Sequence, residues 1–263
     1  MPTLAERSGI LFPTAVVGSL PRPEYVREIV VEGWRREADA RRLDAGVVYA
    51  VCVQEAAGLD VVSDGEWRRA SYIGVIAELA DGFELSRAPD GRPWTIVTGP
   101  VAERAPGIIA AEAAFVRAHT DRLIKVALPS PALLAERMWD AQRSAAAYAS
   151  PRAFAEAVAP ILRREAERLV AAGADVVQVD DPHLCLLVDP EVRARYDDDG
   201  GADAEAEFSA EMDNEVLAGV TGVTVRAVHL CRRAGARVRG EAYHSGDYNQ
   251  ILHALEHLDT DHL

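Results

Sequence analysis

The stretch Thr224-Val225-Arg226-Ala227-Val228-His229-Leu230-Cys231 is a short apolar, β-branched run that ends in His-Leu-Cys. It reads as a buried β-strand. Residues two apart on a strand point to one face, so His229 and Cys231 present an imidazole and a thiol side by side at its end. That pair suits one zinc ion, which takes nitrogen and sulfur ligands at about 2.0–2.3 Å. A catalytic zinc needs about three protein ligands and one open position, so His-x-Cys is half a site. What the rest of the chain brings to the same place decides whether the other half exists.

Working outward, five other stretches read as strands. Thr14–Gly18 runs into the breaker-rich Gly18-Ser19-Leu20-Pro21-Arg22-Pro23. Leu59–Ser63 is followed by Asp64-Gly65-Glu66, and Thr95–Thr98 is a weaker strand. Arg122–Leu128 is stopped by Pro129-Ser130-Pro131, and Asp175–Val179 by Asp180-Asp181-Pro182. Helical spacing separates them, over Ala45–Ala57 with Gly58 as its C-cap, Ile108–His119, Arg152–Ala172, Ala204–Leu217 and Tyr248–Leu258. Strands separated by helices need crossover connections and form a parallel sheet. An open doubly wound sheet and a (β/α)8 barrel both fit this order. Ser19, Asp64, Glu66, Asp180, His229 and Cys231 all fall just past strand C-termini. A barrel gathers every such end at one mouth, whereas an open sheet gathers only those at its switch point. The barrel is therefore the expected fold, as one domain over residues 1–263 with about six βα units.

The net charge of −14 argues against nucleic acid or an anionic membrane as partner. Cys52, Cys185 and Cys231 are too few and too scattered for a disulfide framework. Cys52 lies at helical apolar spacing and is expected in the core, while Cys185 is open. No stretch has the length of a membrane span, and the first residues have no apolar signal core, so a soluble cytoplasmic protein is expected. Lys125 is the only lysine among 28 basic residues, which reads as compositional bias.

Each chemical signal has a plainer alternative. A bare His-x-Cys is more often a hydrogen-bonded histidine beside an ordinary buried cysteine, and its place among strand-end acids brings the metal reading level. Asp64-Gly65-Glu66 is either a turn or a pair of acids that orient an amino group or act in acid–base chemistry. Asp180 ends a buried strand, where an isolated carboxylate is expensive, so function is preferred there, and capping for Asp181. Gly18-Ser19 is a turn that can also offer N–H groups to a carboxylate. His244, His253, His257 and His262 are irregularly spaced and read as surface histidines.

Five motifs then occur in order: Val16–Pro23, Ala57–Glu66, Lys125–Pro131, Gln178–Pro182 and Val228–Cys231. Together they resemble the C-terminal catalytic barrel of cobalamin-independent methionine synthase and its shorter single-barrel relatives, from about Pro13 to Leu263. The resemblance implies a (β/α)8 barrel and a methyltransferase. In that family a zinc ion activates the thiol of homocysteine, which takes a methyl group from a methylated folate to give methionine. Carried over by motif, His229 and Cys231 are two zinc ligands. Ser19, with Val17 and Gly18, holds the amino acid's carboxylate. Glu66 and Asp180 are the catalytic acids that hold its ammonium group.

The chain also departs from that pattern. A folate-binding glutamate is expected near Leu186, which is apolar, and an aromatic residue after the fourth strand is matched only by the nearby Trp139. Related barrels use the same zinc–thiol chemistry on other alkyl donors, as the epoxyalkane–coenzyme M transferases do. The resemblance further implies a seventh strand with a glutamate ligand and an eighth with a cysteine ligand, beyond Leu263. The expectation is thus a barrel truncated before those strands, completed by self-association or a partner chain, or a non-catalytic remnant. Glu241, His244 and Asp247 are the candidates for a substitute third ligand.

Overall fold

The computed structural model describes residues 3–32, 37–87, 93–196, 201–231 and 245–263. Its centre is a parallel sheet of β1 (Val61–Val62), β4 (Leu123–Pro129), β5 (Val176–Asp180) and β6 (Val225–His229), neighbours in that order. Ala15 extends the sheet by a parallel bridge to Val61, and His262 extends it at the other side by a parallel bridge to Ala227. Six strand positions therefore follow one another in chain order, which is the staircase of a (β/α)8 barrel. The sequence reading also reached six, with one different member. Thr95–Thr98 lies in β3 (Pro93–Glu103), which pairs antiparallel with β2 (Ala80–Arg87) as a hairpin apart from the barrel sheet. A short apolar run carries no mark of its pairing direction, and β2 is masked by Asp81, Gly82 and Glu84. At Gly82, with φ +100°, the hairpin bulges so tightly that a Cβ would meet the Gly99 and Pro100 carbonyl oxygens at 2.8 Å.

Helices cover the outer face. The order is α1 (Leu4–Ser8), α2 (Glu24–Glu32), α3 (Glu37–Ala56), α4 (Ile76–Leu79), α5 (Ile108–Arg117), α6 (Pro131–Met138), α7 (Pro151–Ala171), α8 (Pro182–Leu186), α9 (Pro190–Arg193) and α10 (Gly201–Leu217). A 3₁₀ turn, Tyr248–Ile251, and a short helix, Leu252–Glu256, come last. In α7, Ser150 caps the first turn by accepting from the Ala153 N–H, and Pro151 sits where its missing donor costs nothing. Phe154, Val158, Ile161, Leu162, Ala166 and Leu169 recur three and four apart and are buried in the main core. Glu165 on the same helix is buried too, because its carboxylate accepts from the Gly107, Ile109 and Ala110 N–H groups and caps α5. In α3 the buried stripe is Leu43, Val47, Ala50, Val51 and Gln54. Cys52 falls on the opposite face and is exposed, which corrects its expected place in the core.

The interior of the sheet is layered by register. Lys125 lies beside Val176 and Val225, Ala127 beside Gln178 and Ala227, and Pro129 beside Asp180 and His229. Around Leu4 the interior is apolar. Leu4 of α1 packs there against Val61, Val176, Val225 and Ala227, and Arg7 anchors the helix on Asp175 at 2.6 Å. Polar groups begin with Lys125, in the layer of Val176 and Val225, and grow denser toward the C-terminal ends of the strands.

One buried ion pair holds the wall beside that end. Arg69 is buried; its guanidinium gives two hydrogen bonds to Glu112 of α5, at 2.8 and 3.0 Å, and one to the Ala127 carbonyl. Burial pushes the Glu112 carboxyl up, to about 7, against the pull of Arg69. Glu112→Ala leaves a buried guanidinium without its counter-ion and should cost about 3–5 kcal/mol, read from urea unfolding midpoints. Removing the exposed pair Arg143–Glu84 should cost under about 1 kcal/mol in the same assay.

Candidate functional site

Three segments converge at the C-terminal ends of the strands. The first is Val16–Ser19, after the Ala15 bridge. The second is the turn Asp64-Gly65-Glu66, after β1. The third is the paired ends of β5 and β6, where Asp180 stands opposite His229.

The turn after β1 is built by its own backbone. Asp64 Oδ1 accepts from the Glu66 N–H at 2.9 Å, an Asx turn. Gly65 and Glu66 both have left-handed φ, +68° and +57°. Glu66 is the one non-glycine residue with positive φ among the described residues, a strained backbone of the kind that collects at functional sites. Two contacts hold it: the Leu20 N–H donates to the Gly65 carbonyl, and Arg22 donates to the Glu66 and Arg69 carbonyls at 2.7 and 2.6 Å. The strain turns the Glu66 carboxyl inward, where the Ser19 hydroxyl donates to it at 2.5 Å. Burial raises the Glu66 carboxyl above the usual range, while the Ser19 hydrogen bond opposes the shift. Gly18 lies against the same group; a Cβ there would come within 3.8 Å of Glu66 Oε1.

Across the mouth, Asp180 is buried and accepts twice at Oδ1, from Gln178 Nε2 at 2.6 Å and His229 Nδ1 at 3.0 Å. His229 is the last residue of β6, and Cys231 lies two residues beyond the strand. Their side chains still meet. Hydrogen bonds from Asp180 first and Cys231 second push the imidazole up, to about 9. Asp181 is a cap, as expected: its Oδ1 caps α8 through the Leu184 N–H, and its Oδ2 accepts from Ser209.

The donor chemistry of His229 and Cys231 fits two positions of a zinc site, because one ion can replace the contact between ring and thiol. Asp180 on the ring's Nδ1 stands where a carboxylate would orient such a ligand. Among the described residues no group of three or more His, Cys, Asp or Glu is arranged to hold a metal. Glu241 and His244 lie outside the described residues, as does the surface reading of His244. Asp247 is exposed and caps the Tyr248–Ile251 turn by accepting from the Asn249 N–H. Leu186 is buried among Leu184, Leu187 and Val188, and the Trp139 indole donates to the Tyr148 carbonyl.

Residues that the sequence reading passed over complete the site. Lys125 Nζ donates to the Val16 and Val17 carbonyls and to Gln178 Oε1. Its singularity among 28 basic residues was the available signal. Gln178 interrupts the apolar run of β5 two residues before Asp180, hence on the same face. Tyr72 reaches the mouth as well, its hydroxyl pushed up to about 12 by burial, with Asp180 and Cys231 adding to the shift.

The chain is similar to known proteins along most of its length. Residues 12–231 match the family described as cobalamin-independent synthase, catalytic domain. A methionine synthase of Sulfurisphaera tokodaii is 26% identical, the match covering 96% of this chain and 67% of that protein. One from Sulfolobus acidocaldarius is 28% identical, with 96% and 67% covered. The chain thus spans about two thirds of the length of these relatives. Among solved structures, a B12-independent methionine synthase from Shewanella sp. W3-18-1 in complex with selenomethionine superposes with a TM-score of 0.73 at 24% identity, covering 94% of this chain and 71% of that one. A methyltransferase from Methanosarcina mazei does so with a TM-score of 0.54 at 17% identity, covering 96% and 71%.

The raised Glu66 carboxyl has a thermodynamic sign. A carboxyl whose folded pKa lies above its unfolded value binds more protons in the folded state, so its contribution falls as pH rises past the unfolded value. Glu66→Gln keeps an acceptor for Ser19 and removes that ionisation. The melting temperature of Glu66→Gln relative to the parent should therefore rise from pH 4 to pH 7 in scanning fluorimetry. A difference that stays flat across that range would contradict the burial assigned to this carboxyl.

Proposed function

This chain belongs to the cobalamin-independent synthase catalytic-domain family, and from that premise we propose that it methylates the thiol of homocysteine to form methionine. The observation that carries the reading is the convergence of the Ser19–Glu66 pair and the Asp180–His229–Cys231 run on one mouth. An α-amino acid carries a carboxylate, an ammonium and, here, a thiol. Three kinds of group face them.

Ser19, its hydroxyl turned from Glu66, receives the carboxylate together with the backbone of Val17 and Gly18. Glu66 and Asp180 receive the ammonium, whose charge favours the ionised form of the buried Glu66. An ammonium between the two acids adds a charge partner that neither Ser19 nor Gln178 supplies. His229 and Cys231 are the proposed ligands of zinc, which when bound acts as a Lewis acid that brings a thiol's pKa near neutrality. In the transfer, the homocysteine sulfur loses its proton and bonds to the methyl carbon. The donor's bond to that carbon breaks, and its electron pair stays on the donor, which takes up a proton. Residues 1–263 act in this reading as one barrel domain.

The donor is a methylated folate or another methyl or alkyl compound. The burial of Leu186 in an apolar cluster favours the second, since the position expected to hold a folate carries no polar group to offer it. The activity test is methionine formation from homocysteine with 5-methyltetrahydrofolate, and with a folate-free methyl donor in parallel. Methionine from neither donor counts against the reading.

The metal has its own test. The purified chain should hold about one zinc, and Cys231→Ser should remove most of it. Asp180→Ala should weaken zinc binding by roughly 10–100-fold through loss of the carboxylate on His229. Zinc content that is unchanged in Cys231→Ser would overturn the ligand assignment.

A further inference from the structure

The hydrogen bonds of the Lys125 ammonium all lead to the proposed substrate site. Lys125 stands on β4 in the layer of Val176 and Val225. Above it, Ala127 and Ala227 flank Gln178, and these two small residues leave the side chain room to climb. Its ammonium reaches the Val16 carbonyl at 2.6 Å, the Val17 carbonyl at 3.0 Å and Gln178 Oε1 at 2.9 Å. An ammonium has three donors, and here three acceptors take them. Gln178 has no freedom left. Its oxygen faces the ammonium, and its amide nitrogen donates to the Val17 carbonyl at 3.1 Å and to Asp180 at 2.6 Å.

The two carbonyls matter more than the charge. Consecutive carbonyls of a regular strand point to opposite sides, yet those of Val16 and Val17 converge on one nitrogen. In a trans peptide the N–H points opposite to the carbonyl. Drawing both carbonyls toward Lys125 therefore turns the Val17 and Gly18 N–H groups together to the other side. Successive N–H groups turned the same way make a concavity for an anion. The Ser19 hydroxyl follows directly in the chain.

We propose that Lys125, braced by Gln178, is a positioning residue that forms the carboxylate-binding backbone of Val17–Ser19 and fixes it relative to Asp180. The assignment of a carboxylate rests on the proposed function; the positioning of the segment does not. Lys125 touches no substrate in this scheme. It sets the geometry of the groups that do, so its loss acts on recognition of the carboxylate and not on the thiol end of the site.

Two measurements separate these claims. In the ligand-free chain, Lys125→Met should speed hydrogen exchange of the 16–20 segment by about tenfold while β4 to β6 stay protected. Unchanged exchange there overturns the proposal whatever the protein's substrate is. With substrate, Lys125→Met should raise KM for homocysteine by about tenfold. KM for 3-aminopropane-1-thiol, the same molecule without its carboxylate, should not move. Equal losses on both thiols would mark a general structural defect and overturn the positioning role. A parent chain that uses neither thiol would refute the proposed function and leave the exchange result to decide the positioning. If Lys125→Met does not fold, Lys125→Gln, which keeps a donor for one carbonyl, supports the same comparisons.

Discussion

A carboxylate at the end of a fully buried parallel strand has to be satisfied, and the way Asp180 is satisfied organises this molecule. One of its oxygens takes both Gln178 from its own strand and His229 from the next. Parallel register makes this happen. Asp180 and His229 are paired neighbours, and Gln178 lies two residues back on the same face. The Ser130 N–H continues the pairing onto the Asp180 carbonyl, and the Asp181 N–H onto the His229 carbonyl. Shifting β6 by one residue would turn His229 into the wall and break the set. The site is thus as rigid as the sheet that carries it.

The first two strand ends solve a different problem. They have little regular pairing to lean on, since β1 is two residues long and the first strand position is a single bridge. Side chains and strained backbone do the holding instead. Arg22 ties the Ser19 loop to the turn at Glu66, and Arg69 ties that turn to β4 and α5. A left-handed glutamate persists only where its surroundings over-determine it. Here two arginines and the Leu20 amide do so, and the outcome is a carboxyl held inward against its own desolvation.

This division explains what could be read from the sequence. Strand-end residues on β5 and β6 were legible because regular strands obey period two, and polar groups in apolar runs stand out. The overall barrel was legible for the same reason, as was capping by Asp181. The hairpin was not, because pairing direction leaves no trace in a short run such as Thr95–Thr98. Lys125 was missed because its partners are 108 or 109 residues away in sequence for the carbonyls and 53 for Gln178. No local pattern announces a bond to a backbone oxygen. Cys52 was misplaced because α3 has apolar residues on two faces, and only tertiary packing selects between them.

The interior polarity gives a last physical argument. Barrel cores are ordinarily filled by branched apolar side chains. This one is apolar only around Leu4, and from Lys125 upward holds an ammonium, an amide, two carboxyls and an imidazole. Such groups are tolerated inside only when their donors and acceptors match. They match here as a set: Lys125 needs Gln178 to face it with oxygen, and that orientation is what gives Asp180 a donor. Each member is thus oriented by the one beside it. In the proposed function this set serves the end of the site that meets the amino acid. Leu186 is buried in a separate apolar cluster and makes no part of this polar set.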